Sequence, residues 1–345
     1  MREQVAQLRA ELEVVNRLHE ALLQQYTLTE KQQRDYAGSD RAYAEAFAGH
    51  GLDVLALGAG EAAERIRRSG IRRQLVAALD DWTLVKLHLG DGSAERLREV
   101  ADRADDDPWR RKLRDPAVRK DAAVLERLAS EEIERLAGRD AAQPQPKVSL
   151  RWLSVALGQT KSKAAGERLL RQAQQRYRDD FWINFELADA LSARPADVGE
   201  AIGFYRVALA VWPRCAVAHN NLGYLLARQG RLAEAEACFR AALEARPAFA
   251  QAHYNLALLL AGQGKLAEAE ASYRAALKFD PGLDAVYNNL GNLLGDQGRM
   301  AEAEASHRAA LKINPSLAQA HYNLGIVLQR QGKSAEAEAS YRAAL

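Results

Sequence analysis

The chain has 345 residues, 48 basic against 46 acidic, with 7% aromatics and 2 cysteines, and its 67 alanines and 47 leucines make up a third of it. Alanine and leucine carry the highest helix propensities, so the composition points away from an all-β fold; two cysteines exclude a disulfide-stapled module, and no run reaches the roughly 18 to 20 apolar residues of a membrane span. The formal charge of +2 is spread as −3 up to Pro146 and +5 from Lys147, without the concentrated basic field of a nucleic-acid binder. Met1-Arg2-Glu3-Gln4 lacks the basic-then-apolar order of a signal peptide, and the expected setting is soluble, reducing and cytoplasmic.

In chain order, residues 1–37 come first as an amphipathic helix. Val5, Leu8, Leu12, Val15, Leu22 and Tyr26 follow a 3-4 spacing with His19 in the seam. That length is marginal for a coiled coil, and the helix reads either as a dimerisation device or as a single helix packed on the chain. Residues 38–140 keep a helical pattern broken at Gly49-His50-Gly51, Gly58-Ala59-Gly60, Gly90-Asp91-Gly92 and Asp107-Pro108, and Leu75 to Leu79 with Trp82, Leu84, Val85 and Leu87 form a core stripe. Residues 141–146, rich in Ala, Gln and Pro, read as a linker.

From Lys147 onward the chain repeats. Pro213, Pro247, Pro281 and Pro315 are 34 residues apart, and Asn-Leu-Gly or Asn-Leu-Ala recurs in step at Asn221, Asn255, Asn289 and Asn323. Ala-Glu-Ala-Glu-Ala recurs at Ala233, Ala267, Ala301 and Ala335. Each unit predicts two helices: the first ends at a glycine (230, 264, 298, 332), and proline terminates the second because it cannot continue the hydrogen-bond ladder. Small residues at Gly223, Ala257, Gly291 and Gly325, and at Ala235, Ala269, Ala303 and Ala337, mark close helix contacts, with Phe239, Tyr273 and Tyr341 filling the groove beyond. Two weaker copies precede these, giving spans 147–180, 181–215, 216–249, 250–283, 284–317 and a truncated 318–345. The 181–215 copy carries one extra residue in the turn around Arg194-Pro195. An array stopping within a repeat is expected to be part of a longer product or to stack its last helices on a partner, since terminal repeats need a polar outer face.

This pattern resembles the tetratricopeptide repeat, W-x2-L-G-x2-Y, A-x3-F, P. His219, His253, Tyr287 and His321 stand in place of Trp; Leu226, Leu260, Leu294 and Leu328 replace Tyr, and His307 replaces the aromatic of one copy. The resemblance implies an all-α chain whose helical N-terminal region leads into a right-handed α-solenoid of antiparallel helix pairs. Tyr43 to Phe47, Gly51 to Val54, Leu79 to Trp82, Asp107 to Arg110 and Asp180 to Ile183 are similar to the non-catalytic region of bacterial serine/threonine protein kinases that carry C-terminal repeats of this kind. The later repeats also resemble those ahead of O-linked N-acetylglucosamine transferases. Neither catalytic domain is in the sequence: the kinase glycine loop, His-Arg-Asp and Asp-Phe-Gly are missing.

By analogy with the family, the first helix of each repeat lines a concave groove with Asn220, Asn221, Tyr224 and Arg228; Gln251, Tyr254, Asn255 and Leu258; Asn288, Asn289 and Asn292; and Gln319, Tyr322, Asn323, Ile326 and Arg330. An amide both donates to and accepts from a peptide main chain, as neither Lys nor Glu can. In the transferase-type repeats an asparagine ladder holds the peptide backbone, and the resemblance carries that role to Asn221, Asn255, Asn289 and Asn323. The other reading is that these asparagines tie neighbouring helices together. Gly58-Ala59-Gly60 after Val54 to Leu57 imitates a dinucleotide turn, but no second strand follows. Cys215, His219 and Cys238 lack a zinc-site spacing. The expected protein is therefore a non-catalytic scaffold for a protein or peptide partner, without cofactor, metal or nucleic acid. It is otherwise the regulatory part of a kinase or the substrate-recognition part of a glycosyltransferase. Homodimerisation would use the N-terminal helix or the last repeat.

Overall fold

Short polar residues set the helix starts. Asp107, Asp115, Asp121 and Asp180 each accept backbone N–H groups from the first turn of the following helix, the donors a helix start leaves unpaired. A computed structural model describes residues 2–24, 26, 35–138 and 147–345, and these form twenty α-helices and no strand. None of these helices is long and apolar enough to cross a membrane. The linker expected at 141–146 lies outside the described residues. The chain divides into two compact units, Met1–Pro213 and Arg214–Leu345.

The first unit holds α1 (Arg2–Gln24), α2 (Tyr36–Gly49), α3 (Ala59–Arg68), α4 (Arg72–Leu89), α5 (Ala94–Ala104), α6 (Pro108–Arg114), α7 (Pro116–Lys120), α8 (Ala122–Leu136), α9 (Lys147–Gly158), α10 (Lys163–Arg176), α11 (Phe181–Ser192) and α12 (Val198–Val211). Helix α4 is its axis. Leu75, Leu79, Trp82 and Val85 are buried, and Tyr43 and Phe47 of α2 stack on Trp82 at 6.0 and 5.5 Å between centroids. Asp80 and Asp81 leave α4 side by side toward two buried arginines. Arg114 of α6 donates to both oxygens of Asp80 (2.6 and 2.9 Å) and to Asp105 (2.6 Å). Arg151 of α9 pairs with Asp81 (2.5 Å) and with Glu186 of α11 (3.2 Å). Charges this deep are tolerated because each meets an opposite charge and further hydrogen bonds. The weak copies 147–180 and 181–215 are the pairs α9/α10 and α11/α12, and the extra residue near Arg194 is taken up by a 3-10 turn at Pro195–Asp197.

Helix α1 departs from the seam read in the sequence. Val14, Leu18, Ala21, Leu22 and Leu23 are buried, whereas Val5, Leu8 and Leu12 are 44, 64 and 60% exposed. The packing partners α2 and α4 set this, since the burial is confined to the later turns of α1. His19 is accommodated by rings, with Trp182 at 5.3 Å and Trp212 at 6.1 Å. Residues 54–56 form a turn and Gly58 precedes α3, so the strand that a dinucleotide fingerprint requires is replaced by a loop.

The second unit is four helix pairs: α13 (Ala216–Arg228) with α14 (Leu232–Ala245), α15 (Ala250–Gly262) with α16 (Leu266–Phe279), α17 (Asp284–Asp296) with α18 (Met300–Ile313), and α19 (Ala318–Arg330) with α20 (Ser334–Ala343). Gly230, Gly264, Gly298 and Gly332 turn each pair at φ of 74 to 78°, the left-handed region that only glycine enters at little cost. Successive pairs are also joined on their outer helices by ion pairs that repeat with the sequence: Arg240–Glu268, Arg274–Glu302 and Arg308–Glu336, crossed by Lys265–Glu236, Arg299–Glu270 and Lys333–Glu304.

Within a pair, approach is limited by the glycine of the first helix. A Cβ on Gly223 would lie 2.8 Å from the Phe239 ring and 3.2 Å from the Ala235 carbonyl. Gly223→Ala is therefore expected to lower stability by about 1 kcal/mol, and at most about 2 kcal/mol, in urea melts, because an overpacking cost of about 1 to 3 kcal/mol is offset by a helix-propensity gain of about 1 kcal/mol. Shrinking the ring with Phe239→Leu in the same chain should cost less than the sum of the two single changes. A more stable Gly223→Ala protein would contradict this reading.

Candidate functional site

The amide column singled out in the sequence lies along the first helices of the second unit, where it bonds helix to helix. Asn255 Nδ2 donates to Asn220 Oδ1 (2.9 Å), Asn289 Nδ2 to the Tyr254 hydroxyl (2.9 Å), and Asn323 Nδ2 to Asn288 Oδ1 (3.1 Å). Each bond spans 35 residues, one repeat plus one position, so the asparagine of each motif reaches the residue just before the corresponding asparagine of the preceding repeat. Gln251 Nε2 donates to Asn255 Oδ1 (2.9 Å), and Asn220 Nδ2 to Asn221 Oδ1 (3.2 Å). Asn220, Asn221, Gln251, Asn255 and Asn288 are buried. Buried amides must be paired, and here the partners come from the same first helix or from the first helix of the neighbouring repeat.

The ladder therefore separates the predicted groove residues into two groups. Asn220, Asn221, Gln251, Tyr254, Asn255 and Asn288 are committed to the stack. Asn289 and Asn323 are half-buried, with one N–H engaged and an Oδ1 that accepts nothing from the described residues. Asn292 is half-buried, and no described residue hydrogen-bonds its amide. Tyr322 is 54% exposed; Gln319, Arg228 and Arg330 are exposed, and Tyr224, Leu258 and Ile326 are half-buried. Residues three apart share a helix face, so Asn289 with Asn292, and Asn323 with Ile326, point the same way. Arg228 lies over the Tyr224 ring at 5.8 Å.

The residues in the tryptophan position of the motif serve the loops. His253 Nε2 meets the Pro247 carbonyl at 2.9 Å and its ring stacks on Phe279 at 5.6 Å; His321 Nε2 meets the Pro315 carbonyl at 3.0 Å. Cys215 caps the start of α13, its Sγ accepting the Ala218 N–H at 3.4 Å. His307 fills the aromatic position of its repeat against Gly291, 1% exposed with both ring nitrogens unpaired, and burial pushes it down to about 4. The identity of each of these residues was legible in the sequence. The 35-residue reach of the asparagines was not, because a period of 34 marks equivalent positions and is silent about which unequal positions meet.

Two family models, both described as tetratricopeptide repeat, match the chain, one at residues 196–247 and 220–284 and the other at 282–345. Among curated protein sequences none matches. Among solved structures, PilF of Pseudomonas aeruginosa superposes with a TM-score of 0.50 at 21% identity over 62% of this chain and 90% of its own. YrrB, described as a TPR protein with an unusual peptide-binding site, gives a TM-score of 0.44 at 22% identity over 51% of this chain and 90% of its own. MamA from Desulfovibrio magneticus RS-1 gives 0.43 at 18% identity over 56% and 97%. With the helix pairs, the turn glycines and the glycine-to-aromatic contacts, the family matches make the assignment: residues 196–345 of this all-α chain are tetratricopeptide repeats.

Proposed function

We propose that this chain is an interaction scaffold that holds an extended protein segment against the first helices of its repeats. The observation that carries this is the set of polar and aromatic groups left over once the stack is satisfied: Asn289 Oδ1, Asn323 Oδ1, the Asn292 amide and the Tyr322 ring. An extended peptide presents alternating N–H and C=O groups, and these side chains offer both complements within one stretch of α17 and α19. Tyr322 and Ile326 supply the apolar contact that gives such capture its affinity.

The test separates capture from stacking. With the full chain immobilised and probed with arrays of extended peptides, Asn292→Ala combined with Tyr322→Ala should lower peptide capture at least about tenfold, roughly 1.4 kcal/mol, with the melting curve unchanged. Unaltered capture would sink the proposal. Asn255→Ala should behave differently, lowering stability by about 1 to 3 kcal/mol, because it leaves Asn220 Oδ1 and Gln251 Nε2 without their partner in a buried seam.

A further inference from the structure

The first unit contains a cavity of about 680 Å³ walled by residues of α4 to α9 and the loop after α9. That volume is within the range of small-molecule sites, roughly 300 to 1,000 Å³. Its charged lining is unbalanced. Of its five cations, Arg114 is taken by Asp80, Asp102 and Asp105, and Arg98 by Glu95. The remaining three, Arg119, Lys120 and Lys161, have no carboxylate within ion-pair reach among the described residues.

Arg119 is the informative one. Its guanidinium donates to the neutral Gln159 Oε1 (2.7 Å) and lies 5.6 Å from the Trp152 ring centroid. Arg110, Arg114 and Arg151 of the same unit sit on carboxylates, whereas the half-buried Arg119 does not. Burial lowers the Arg119 pKa from its ordinary value, and the charge of Asp80, which lies beyond ion-pair reach, only partly opposes this. A guanidinium keeps its charge under such conditions and offers a planar fork of donors that matches a carboxylate. The wall also has an apolar part, Leu87, Ala94, Pro116, Ala122 and Trp152, of which Leu87 is 55% exposed. A bulky apolar side chain open to solvent beside an unbalanced cation is an arrangement that an amphipathic anion completes on both counts.

We infer that this cavity binds a small organic anion, an apolar body bearing a carboxylate, with the carboxylate on Arg119 and the body against Leu87 and Trp152. Lys120 and Lys161, both exposed at the rim, raise the local concentration of anions and add to the pull on the bound charge. The site lies in Met1–Pro213, whereas the groups proposed for peptide capture are on α17 and α19 of the second unit.

The probe is 1-naphthylacetate, titrated calorimetrically into the full chain beside 2-(1-naphthyl)ethanol, which has the body without the charge, and acetate, which has the charge without the body. Saturable binding of naphthylacetate at one site, at least tenfold tighter than either control, is expected. Arg119→Gln should weaken it at least tenfold, and Lys120→Gln or Lys161→Gln by a smaller factor. Leu87→Glu, which replaces an exposed side chain and brings a carboxylate to the wall, should abolish binding with the fold intact. It decides the matter if Arg119→Gln does not fold. Equal binding by the naphthyl alcohol or by acetate, undiminished binding by Leu87→Glu or by a folded Arg119→Gln, or no binding of naphthylacetate at millimolar concentration would each overturn the inference.

Discussion

Replacing Arg114 by alanine is expected to destabilise the protein by about 3 to 5 kcal/mol, the usual consequence of leaving buried charges uncompensated. The arginine side chain is 2% exposed, and Asp80 and Asp105 beside it are 5% exposed each. Burial already pushes Asp80 up to about 6, against the opposing pull of the Arg114 charge and hydrogen bonds. The sign of the pH effect follows. A carboxyl whose folded pKa is raised above its unfolded value of 3.8 contributes stability that is present below that value and lost as pH rises through about 6. Without Arg114 only the weaker pull of the Arg110 charge holds Asp80 down, its pKa rises further, and the loss in the variant grows as pH increases. Urea melts at pH 5 and pH 7 should therefore show the larger difference from the parent at pH 7. Arg114→Met with Asp80→Asn should be more stable than Arg114→Met alone by at least about 1 kcal/mol, the coupling expected of residues in one network. Equal losses at both pH values, with no recovery in the double variant, would mean that the arginine acts through packing alone.

His307 sets the second large effect. Its counterparts in the other three repeats are Phe239, Tyr273 and Tyr341, and the ring lies against Gly291 as Phe239 lies against Gly223. Because burial lowers the folded pKa from 6.5 to about 4, the folded state prefers the neutral ring. Between those values the unfolded chain binds more protons, so stability is complete above about 6.5 and is lost as pH falls toward 4. At 1.36 kcal/mol per unit, the loss from this one residue reaches about 3 kcal/mol. His307→Phe should flatten the stability profile across that window and raise stability at pH 7 slightly, because it removes two buried nitrogens without partners. Some acid dependence remains in the variant, since His19 is also lowered to about 4 by burial and then by the Arg151 charge. Parallel profiles for parent and variant between pH 4 and 6.5 would show that His307 is not the group that titrates.

These two effects differ in how far they could be read from residues alone. His307 stands out in the sequence because three aligned repeats carry an aromatic at its position, and a repeat array turns alignment into packing. Asp80 and Asp81 carry no such mark. Two adjacent carboxylates in a helical stretch look solvated, and only the arrival of Arg114 from α6 and Arg151 from α9 shows that they are buried. The same holds for α1. Its apolar spacing predicts a seam from Val5 to Tyr26, yet burial begins at Val14, because which turns are covered depends on helices brought in from elsewhere in the chain.

The sequence by itself determined the local and periodic features of this protein: the helix pairs, the left-handed glycine that turns each one, the glycine against an aromatic four residues beyond the small alanine, and the 34-residue repeat. All of these depend on interactions within a repeat or between identical positions, which periodicity records directly. Tertiary structure alone decided which groups of the asparagine column are spent on stacking and which bond to nothing among the described residues, how α4 distributes its two aspartates, and that no carboxylate among those residues lies within ion-pair reach of Arg119. Those outcomes depend on side chains far apart in the chain meeting at unequal positions, and a lone buried charge or a paired amide is defined by its neighbours in space.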